Sequence, residues 1–314
     1  MEDMLSLSIA SVGECMIELS GSGGDAWRLG YAGDTFNTLW ALRALLGDTA
    51  TVDYVSAFGD DPFSRQQIDF MQRAGIGIAA SPIIPGARPG LYAITLDGAE
   101  RSFTYWRNDA AAKRLGDDRA ALGASLAGRS LIYFSGITLA ILDSATRWNL
   151  IDAIEKARAH GALVAFDPNY RPRLWIDSEL AKPAIANALA VTDIALPTFP
   201  DEQTLFGDAS SGATVARLRA SGVREIVVKD GERPCLIHHG ADGMATTDTI
   251  AAENVVAVDT TGAGDSFNGA YLAARLLGDD PIQATRRAHK VAGAVVQVRG
   301  ALAPIETLRA AFAN

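Results

Sequence analysis

The sequence predicts an α/β fold with a mostly parallel central sheet and a small β-sheet lid. Apolar runs of strand length alternate with segments whose apolar residues recur at helical spacing, which is typical of parallel strands joined by right-handed helical crossovers. Prolines and a hairpin pattern interrupt this order between Ile83 and Tyr105. Because 314 residues suffice for one large domain with such an appendage, we expect a single domain over residues 1–314.

The charge and composition of the chain argue against several classes of binding partner. The formal net charge of −9 argues against nucleic acid and against anionic membrane surfaces. The N-terminus, Met1 to Met4, is acidic where a signal peptide is basic, and no apolar run approaches the ~20 residues that cross a bilayer. Cys15 and Cys235 each stand within an apolar run, so we expect buried thiols in a reducing compartment. These features predict a cytoplasmic protein with no nucleic-acid partner and no membrane partner.

The N-terminal part of the chain alternates strands and helices. Residues 8–19 are predicted to form one strand whose later half has a solvent-facing side. Residues 21–26 match a loose dinucleotide-binding fingerprint, but no periodic helix follows them, so we interpret them as a hairpin turn. Helices are predicted at 34–46 and 62–74, with a strand between them.

The proline-containing interruption includes a second predicted hairpin. Residues 91–96 and 101–106 have strand patterns and are separated by Asp97-Gly98, which is a common hairpin turn. We expect this hairpin to form a small sheet with the segment near the N-terminus. The resulting lid, made by roughly 14–32 and 88–108, would cover the site.

A polar cluster follows a buried strand near 161–166. It contains Asp167, Asn169 and Arg171. In an open parallel sheet, ligands bind at the carboxyl ends of the strands, which is where this cluster falls. The alternative is that Arg171 simply pairs with Asp167 as a loop ion pair.

The segment 259–267, Asp-Thr-Thr-Gly-Ala-Gly-Asp-Ser-Phe, forms a glycine-bearing turn that opens a helix. The first amides of a helix have no intrahelical partner, and Gly262 and Gly264 have no side chain to block an anion, so a phosphate fits here. Asp265 could accept a proton from a hydroxyl that attacks a phosphoryl group. The alternative is that Asp265 caps the helix and the glycines shape a turn.

This segment resembles the C-terminal signature of the ribokinase-like (PfkB) carbohydrate kinases. Gly-Asp at 33–34 with an Asn three residues later resembles their N-terminal sugar signature, with Ala32 where the family usually has a glycine. The resemblance spans about Ser8 to Ala301 and implies a ribokinase-like three-layer α/β/α domain that uses ATP and Mg2+. It assigns the anion hole to Gly262, Ala263 and Gly264, the catalytic base to Asp265, and sugar binding to Gly33, Asp34, Asn37 and Asp265.

A narrower resemblance concerns the predicted lid. Gly90, Tyr92 and residues 101–108 resemble the lid of the 2-keto-3-deoxygluconate kinases within this family, and residues 167–175 also resemble that group. An arginine fork matches the carboxylate of a sugar acid, which fructose and ribose lack. If either arginine has another partner, a neutral sugar becomes the expected substrate. The residues that this resemblance places on the sugar acid are Tyr92, Tyr105, Arg107, Asn169 and Arg171.

The ATP side is marked by two further segments. The family motif Asn-x-x-Glu, which orders Mg2+ through water, corresponds here to Thr-x-x-Asp ending at Asp201, with Glu202 next. Carboxylate oxygens suit Mg2+, and the choice between the two acids stays open. Lys229 and Gly231 correspond in position to the nucleotide-side loop, although Lys229 could be a solvated surface lysine. A small-residue helix at 288–298 would wall the adenine pocket.

The resemblance implies phosphoryl transfer from ATP to the terminal hydroxyl of 2-keto-3-deoxygluconate, giving 2-keto-3-deoxy-6-phosphogluconate. The chain has no Walker A sequence, so the helix start at 262–265 must hold the phosphates. Alternatives are another sugar kinase, of fructokinase or ribokinase type, and a non-catalytic sugar-acid sensor. Exposed edges of a lid sheet also favour a homo-oligomer.

Overall fold

The computed structural model describes residues 7–21, 26–97, 100–240, 245–253 and 255–313. Its strands are β1 (Leu7–Val12), β2 (Met16–Gly21), β3 (Trp27–Ala32), β4 (Ala50–Val55), β5 (Phe58–Gly59), β6 (Ile83–Ile84), β7 (Leu91–Asp97), β8 (Glu100–Trp106), β9 (Leu131–Ser135), β10 (Leu163–Asp167), β11 (Ile194–Ala195), β12 (Glu225–Asp230), β13 (Arg233–His239) and β14 (Thr246–Ile250). Its α-helices are α1 (Asp34–Leu46), α2 (Pro62–Arg73), α3 (Arg119–Leu126), α4 (Gly136–Ile141), α5 (Ser144–Ala159), α6 (Ser178–Ala190), α7 (Phe199–Phe206), α8 (Ser211–Ala220), α9 (Ala263–Leu276), α10 (Pro281–Val295) and α11 (Ile305–Ala313).

An eight-stranded sheet in the order β14-β13-β12-β11-β10-β9-β1-β4 forms the middle layer. The strands from β12 to β4 are parallel, and β13 and β14 add an antiparallel edge. Successive side chains point to opposite faces, so β9 gives Leu131 and Tyr133 to one core and Ile132 and Phe134 to the other. Helices α1, α9, α10 and α11 cover the first core, and α3, α5, α6 and α8 cover the second. The predicted α/β/α layering around a mostly parallel sheet is confirmed.

A small sheet in the order β3-β2-β7-β8 lies outside the central sheet. The pairs β2–β3 and β7–β8 are antiparallel, and β2 joins the two pairs through a parallel contact with β7. The strands flanking both predicted hairpin turns therefore pair as expected. Two parts of those turns, residues 22–25 and Gly98, lie outside the described residues.

The prediction of one continuous strand over residues 8–19 is wrong. The chain leaves the central sheet after Val12 and enters the small sheet at Met16. Gly13 makes this passage: its amide donates to the Val55 carbonyl at 3.1 Å, and a Cβ on Gly13 would lie 2.3 Å from Thr35 Oγ1. Apolar residues continue through both strands, so their periodicity does not mark the break.

The helix predicted at 288–298 also has different bounds. The helix begins at Pro281, because Asp280 accepts a hydrogen bond from the Gln283 amide and Pro281 occupies the first turn. It ends at Val295. The helices predicted at 34–46 and 62–74 are confirmed as α1 and α2. Within the described ranges, none of the helices is both long enough and apolar enough to traverse a membrane.

Candidate active site

The glycine turn at the start of α9 has a conformation that favours glycine. Gly262 has a φ of 75°, in the left-handed region, and a Cβ there would lie 2.6 Å from the Ala301 carbonyl oxygen. The Asp259 carboxylate fixes the turn by accepting hydrogen bonds from the amides of Thr261 at 2.9 Å and Gly300 at 2.8 Å. The first amides of α9 therefore follow a fixed turn in which Gly262 and Gly264 carry no side chain, an arrangement suited to an anion.

Asp265 lies in the first turn of α9 and contacts α1. Its Oδ2 accepts a hydrogen bond from Asn37 Nδ2 at 2.8 Å, across 228 residues of sequence. The Thr38 hydroxyl donates to the Asp265 carbonyl at 3.1 Å. The two helices can approach this closely because Gly269 leaves room, since a Cβ there would lie 2.6 Å from the Thr38 carbonyl oxygen. The N-terminal signature at 33–37 and the C-terminal signature at 259–267 are therefore in direct contact.

The surroundings of Asp265 raise its pKa. Burial is the largest cause, the negative charge of Asp34 adds to it, and the pKa of Asp265 rises to about 7. Burial also raises the pKa of Asp34, whose Oδ2 accepts a hydrogen bond from Asn169 Nδ2 at 2.7 Å. Asn169 adopts a φ of 34°, a left-handed conformation that asparagine tolerates better than most residues. Asp34 and Asp265, both partly buried, thus form an acidic cluster with the buried Asn169 beside the glycine turn.

Lys229 is buried beside this cluster and is not a surface lysine. Its side chain is 9% exposed, and Nζ lies 2.8 Å from both Asp167 Oδ2 and Asn268 Oδ1. A Cβ placed on Gly264 would lie 3.9 Å from this ammonium, so Lys229 adds positive charge close to the glycine turn. Asn268, which also donates to Asp167 at 2.7 Å, was missed by sequence analysis because it looks like an ordinary helix residue.

Gly231 lies just beyond the end of β12, in the turn before β13. Its φ is 62°, and among the described residues only its chain neighbours have heavy atoms within 4 Å of a Cβ placed there. The turn is therefore open on that side, unlike the crowded turn at Gly262.

Both arginines predicted to bind the sugar acid have carboxylate partners. Arg107 Nη2 donates to Glu14 Oε2, and Arg171 Nη1 lies 2.9 Å from Asp201 Oδ2. The alternative pairing of Arg171 with Asp167 is therefore wrong. Each ion pair uses one terminal nitrogen, which leaves other N–H donors on each guanidinium.

The two acids of the Thr-x-x-Asp segment have different environments. Glu202 is buried and accepts a hydrogen bond from Arg217, and burial raises its pKa to about 7 despite the opposing charge of Arg217. The Asp201 side chain is 20% exposed and lies against Arg171. Of these two acids, Asp201 is therefore the more accessible to solvent.

The small sheet supplies aromatic residues. Tyr92 and Tyr105 are cross-strand neighbours with ring centroids 5.8 Å apart, so they share one face of the sheet. The Tyr92 hydroxyl is buried and donates to Glu18, whereas Tyr105 is 41% exposed and lies 5.7 Å from the Arg173 guanidinium. The alternating pattern of polar residues in β2 did not identify Glu18 as a partner of Tyr92.

Comparison with known proteins agrees with this geometry. The 2-dehydro-3-deoxygluconokinases of Escherichia coli K12 and Dickeya dadantii are each 40% identical to this chain, over 98% of its length and 100% of theirs. An E. coli protein assigned as Ribokinase II, solved with ATP and Mg2+, matches the fold with a TM-score of 0.82 at 23% identity, over 98% of this chain and 99% of that one. The model of the pfkB family carbohydrate kinases matches residues 6–308. This chain therefore belongs to the pfkB family of carbohydrate kinases.

Proposed function

We propose that this protein transfers a phosphoryl group from ATP to the terminal hydroxyl of 2-keto-3-deoxygluconate, also called 2-dehydro-3-deoxygluconate. The product is 2-keto-3-deoxy-6-phosphogluconate. The observation that carries the proposal is the partly buried Asp265 at the start of α9, directly beside a glycine turn suited to a phosphate. The names and full-length coverage of the relatives support this substrate.

Asp265 acts as the general base of the proposed reaction. Its carboxylate takes the proton of the sugar hydroxyl while the hydroxyl oxygen attacks the γ-phosphorus, and the bond from that phosphorus to the leaving ADP breaks. The amides of Gly262, Ala263, Gly264 and Asp265 stabilise the charge on the transferring group, and the ammonium of Lys229 lies next to them.

ATP and Mg2+ are the proposed co-substrate and cofactor. Lys229 and Gly231 lie on the nucleotide side, and Asp201 would reach the metal through water because its carboxylate is accessible and Glu202 is not. When bound, Mg2+ neutralises the charge on the nucleotide phosphates.

The sugar acid is proposed to contact residues at the start of α1, in the loop after β10 and in the small sheet. Gly33, Asp34, Asn37 and Asn169 lie near Asp265, while Tyr92, Tyr105 and Arg107 come from the small sheet or its end. Arg107 and Arg171 supply donors for the carboxylate. Each guanidinium can bind a second carboxylate through its remaining N–H groups, so its ion pair does not prevent that role.

A neutral sugar is the second candidate substrate. The observation that favours it is that both arginines already have carboxylate partners, Glu14 and Asp201, which reduces the positive charge available to an acid. In that case the kinase chemistry at Asp265 would be the same.

The organisation of the molecule is also part of the proposal. Residues 1–314 form one kinase domain in the cytoplasm, and the small sheet, from roughly 14–32 and 88–108, is a lid that excludes water during transfer. Within the described part of the chain, the edges at β3 and β8 pair with no further strand and carry the exposed side chains of Trp27 and Trp106, which favours a homo-oligomer.

The test is ATP-dependent phosphorylation of 2-keto-3-deoxygluconate beside fructose and ribose, with the wild type, Asp265→Asn and Arg171→Ala. We expect turnover of the keto acid alone, nearly lost in Asp265→Asn and weakened mainly through KM in Arg171→Ala. Turnover of a neutral sugar that is insensitive to Arg171→Ala would support the second candidate. If ATP is not consumed with any of the three sugars, both candidate substrates are contradicted.

A further inference from the structure

Glu14 lies where the small sheet joins the rest of the molecule. The chain crosses between the two parts four times: at 13–15 before β2, at Gly33 after β3, at Gly90 before β7 and at Arg107 after β8. Glu14 belongs to the first crossing and contacts the other three.

Each of these contacts is close. The main-chain oxygen of Glu14 would lie 2.1 Å from a Cβ placed on Gly33, and its Oε1 would lie 2.5 Å from a Cβ placed on Gly90. Its Oε2 accepts the hydrogen bond from Arg107 Nη2. The side chains of Glu14 and Arg107 are 1% and 11% exposed, so water screens their ion pair weakly. Because Gly33 and Gly90 have no side chains, Glu14 can approach both crossings, Gly33 through its main-chain oxygen and Gly90 through its carboxylate.

The ion pair between Glu14 and Arg107 is expected to add little to the stability of the fold. Glu14 Oε1 is buried and has no hydrogen-bond partner among the described residues. A buried carboxylate with an unsatisfied oxygen is costly, and buried ion pairs generally contribute little net stability. The same geometry orients the Arg107 guanidinium well, because it fixes one nitrogen and leaves the other N–H donors for a ligand.

We propose that Glu14 is a positioning residue that holds Arg107 for the carboxylate of the sugar acid and ties that contact to all four crossings of the small sheet. Binding of the substrate carboxylate and ordering of the small sheet are then coupled, because both depend on Glu14. This inference rests on the proposed function and adds to it the residue that couples substrate charge to lid closure.

The test variant is Glu14→Gln, which keeps the size of the side chain and removes its charge. We expect KM for 2-keto-3-deoxygluconate to rise about 10- to 100-fold, because Arg107 loses its fixed orientation. KM for ATP and kcat at saturating sugar acid should stay near the wild-type values. Hydrogen exchange should become faster in β2 and β7 of the ligand-free variant and remain unchanged in β9 and β10.

Two controls separate this role from loss of any buried ion pair. Asp53→Asn breaks the comparable pair between Asp53 and Arg129, whose side chains are 22% and 10% exposed. It should lower thermal stability and leave both KM values unchanged. The second control compares Arg107→Gln with the double variant of Glu14→Gln and Arg107→Gln, which has no unpaired buried charge. If Glu14 acts through Arg107, the double variant should show no further rise in KM.

The outcomes distinguish the two proposals. Absence of sugar-acid turnover by the wild type would overturn the proposed function and this inference together. Wild-type turnover with an unchanged KM in Glu14→Gln would overturn the inference alone. Independent, multiplying effects of the two substitutions would also overturn it, and so would a fall in KM, which would mean that Glu14 competes with the ligand for Arg107.

Discussion

Asp265 is a partly buried aspartate whose environment suits a base at neutral pH. The pKa of Asp265 is raised from the ordinary 3.8 to about 7, first by burial and then by the charge of Asp34, while the hydrogen bond from Asn37 opposes the rise. A carboxylate with this pKa holds a transferred proton more tightly than an exposed aspartate does. It is nonetheless largely ionised slightly above neutral pH.

Asp265→Asn should lower kcat about 10³-fold, because the proton acceptor is lost. It should also stabilise the fold. The raised pKa means that the stability contribution of Asp265 is complete below about pH 4 and is lost as pH rises through about 7. The variant escapes this loss, so its free energy of unfolding should exceed that of the wild type by roughly 0.5–2 kcal/mol at pH 8 and by less at pH 5. Urea unfolding at both pH values measures this, and an equal difference at both would contradict it.

Asp34→Asn should change the pH profile of catalysis as well as substrate binding. In the wild type, kcat/KM should fall as pH drops below about 7, where Asp265 becomes protonated. Removing the charge of Asp34 lowers the pKa of Asp265, so this fall should move to lower pH. The full pH dependence of kcat/KM for both proteins is the measurement. A profile that keeps its position would mean that the fall reports another group.

At the scale of single elements, the turn before α9 combines a left-handed φ with contact to a neighbouring backbone. Gly262→Ala should therefore cost roughly 1–2 kcal/mol from its φ and more from the 2.6 Å approach to the Ala301 carbonyl oxygen, and activity should be lost. The matched control is Gly207→Ala at the end of α7, where φ is 74° and the space around a Cβ is open. Chemical unfolding and initial rates should show destabilisation in both variants and loss of activity in Gly262→Ala alone. Full activity of Gly262→Ala would contradict the role of this turn.

The elements also show what a sequence can reveal. Helix α1 and the turn at Gly262 were predictable because their glycines and their helical periodicity are local features of the sequence. The passage at Gly13 was not, since β1 and β2 belong to different sheets but have a continuous apolar pattern. The partners of Lys229 and Arg107 were also hidden, because each ion pair joins residues more than 60 positions apart and depends on the packing of the whole chain.

At the scale of the whole molecule, the small sheet should respond to ligands as a unit. The strands of the small sheet should exchange their amide hydrogens more slowly when 2-keto-3-deoxygluconate and a non-hydrolysable ATP analogue are both present, because closure orders the lid. The central strands should change little, since both of their faces are already buried. Hydrogen exchange with mass spectrometry measures this. Protection confined to the central sheet would contradict a lid.

Cys15 and Cys235 are both buried, and burial raises the pKa of each thiol, that of Cys235 to about 12. Thiol-directed dyes react with the thiolate, so both native cysteines should stay unlabelled near neutral pH. The natural chain can therefore serve as its own background for single-site labelling. A cysteine introduced at an exposed position of an inner strand of the small sheet, such as Thr95→Cys in β7, would take one fluorophore and report the opening and closing of the sheet in real time.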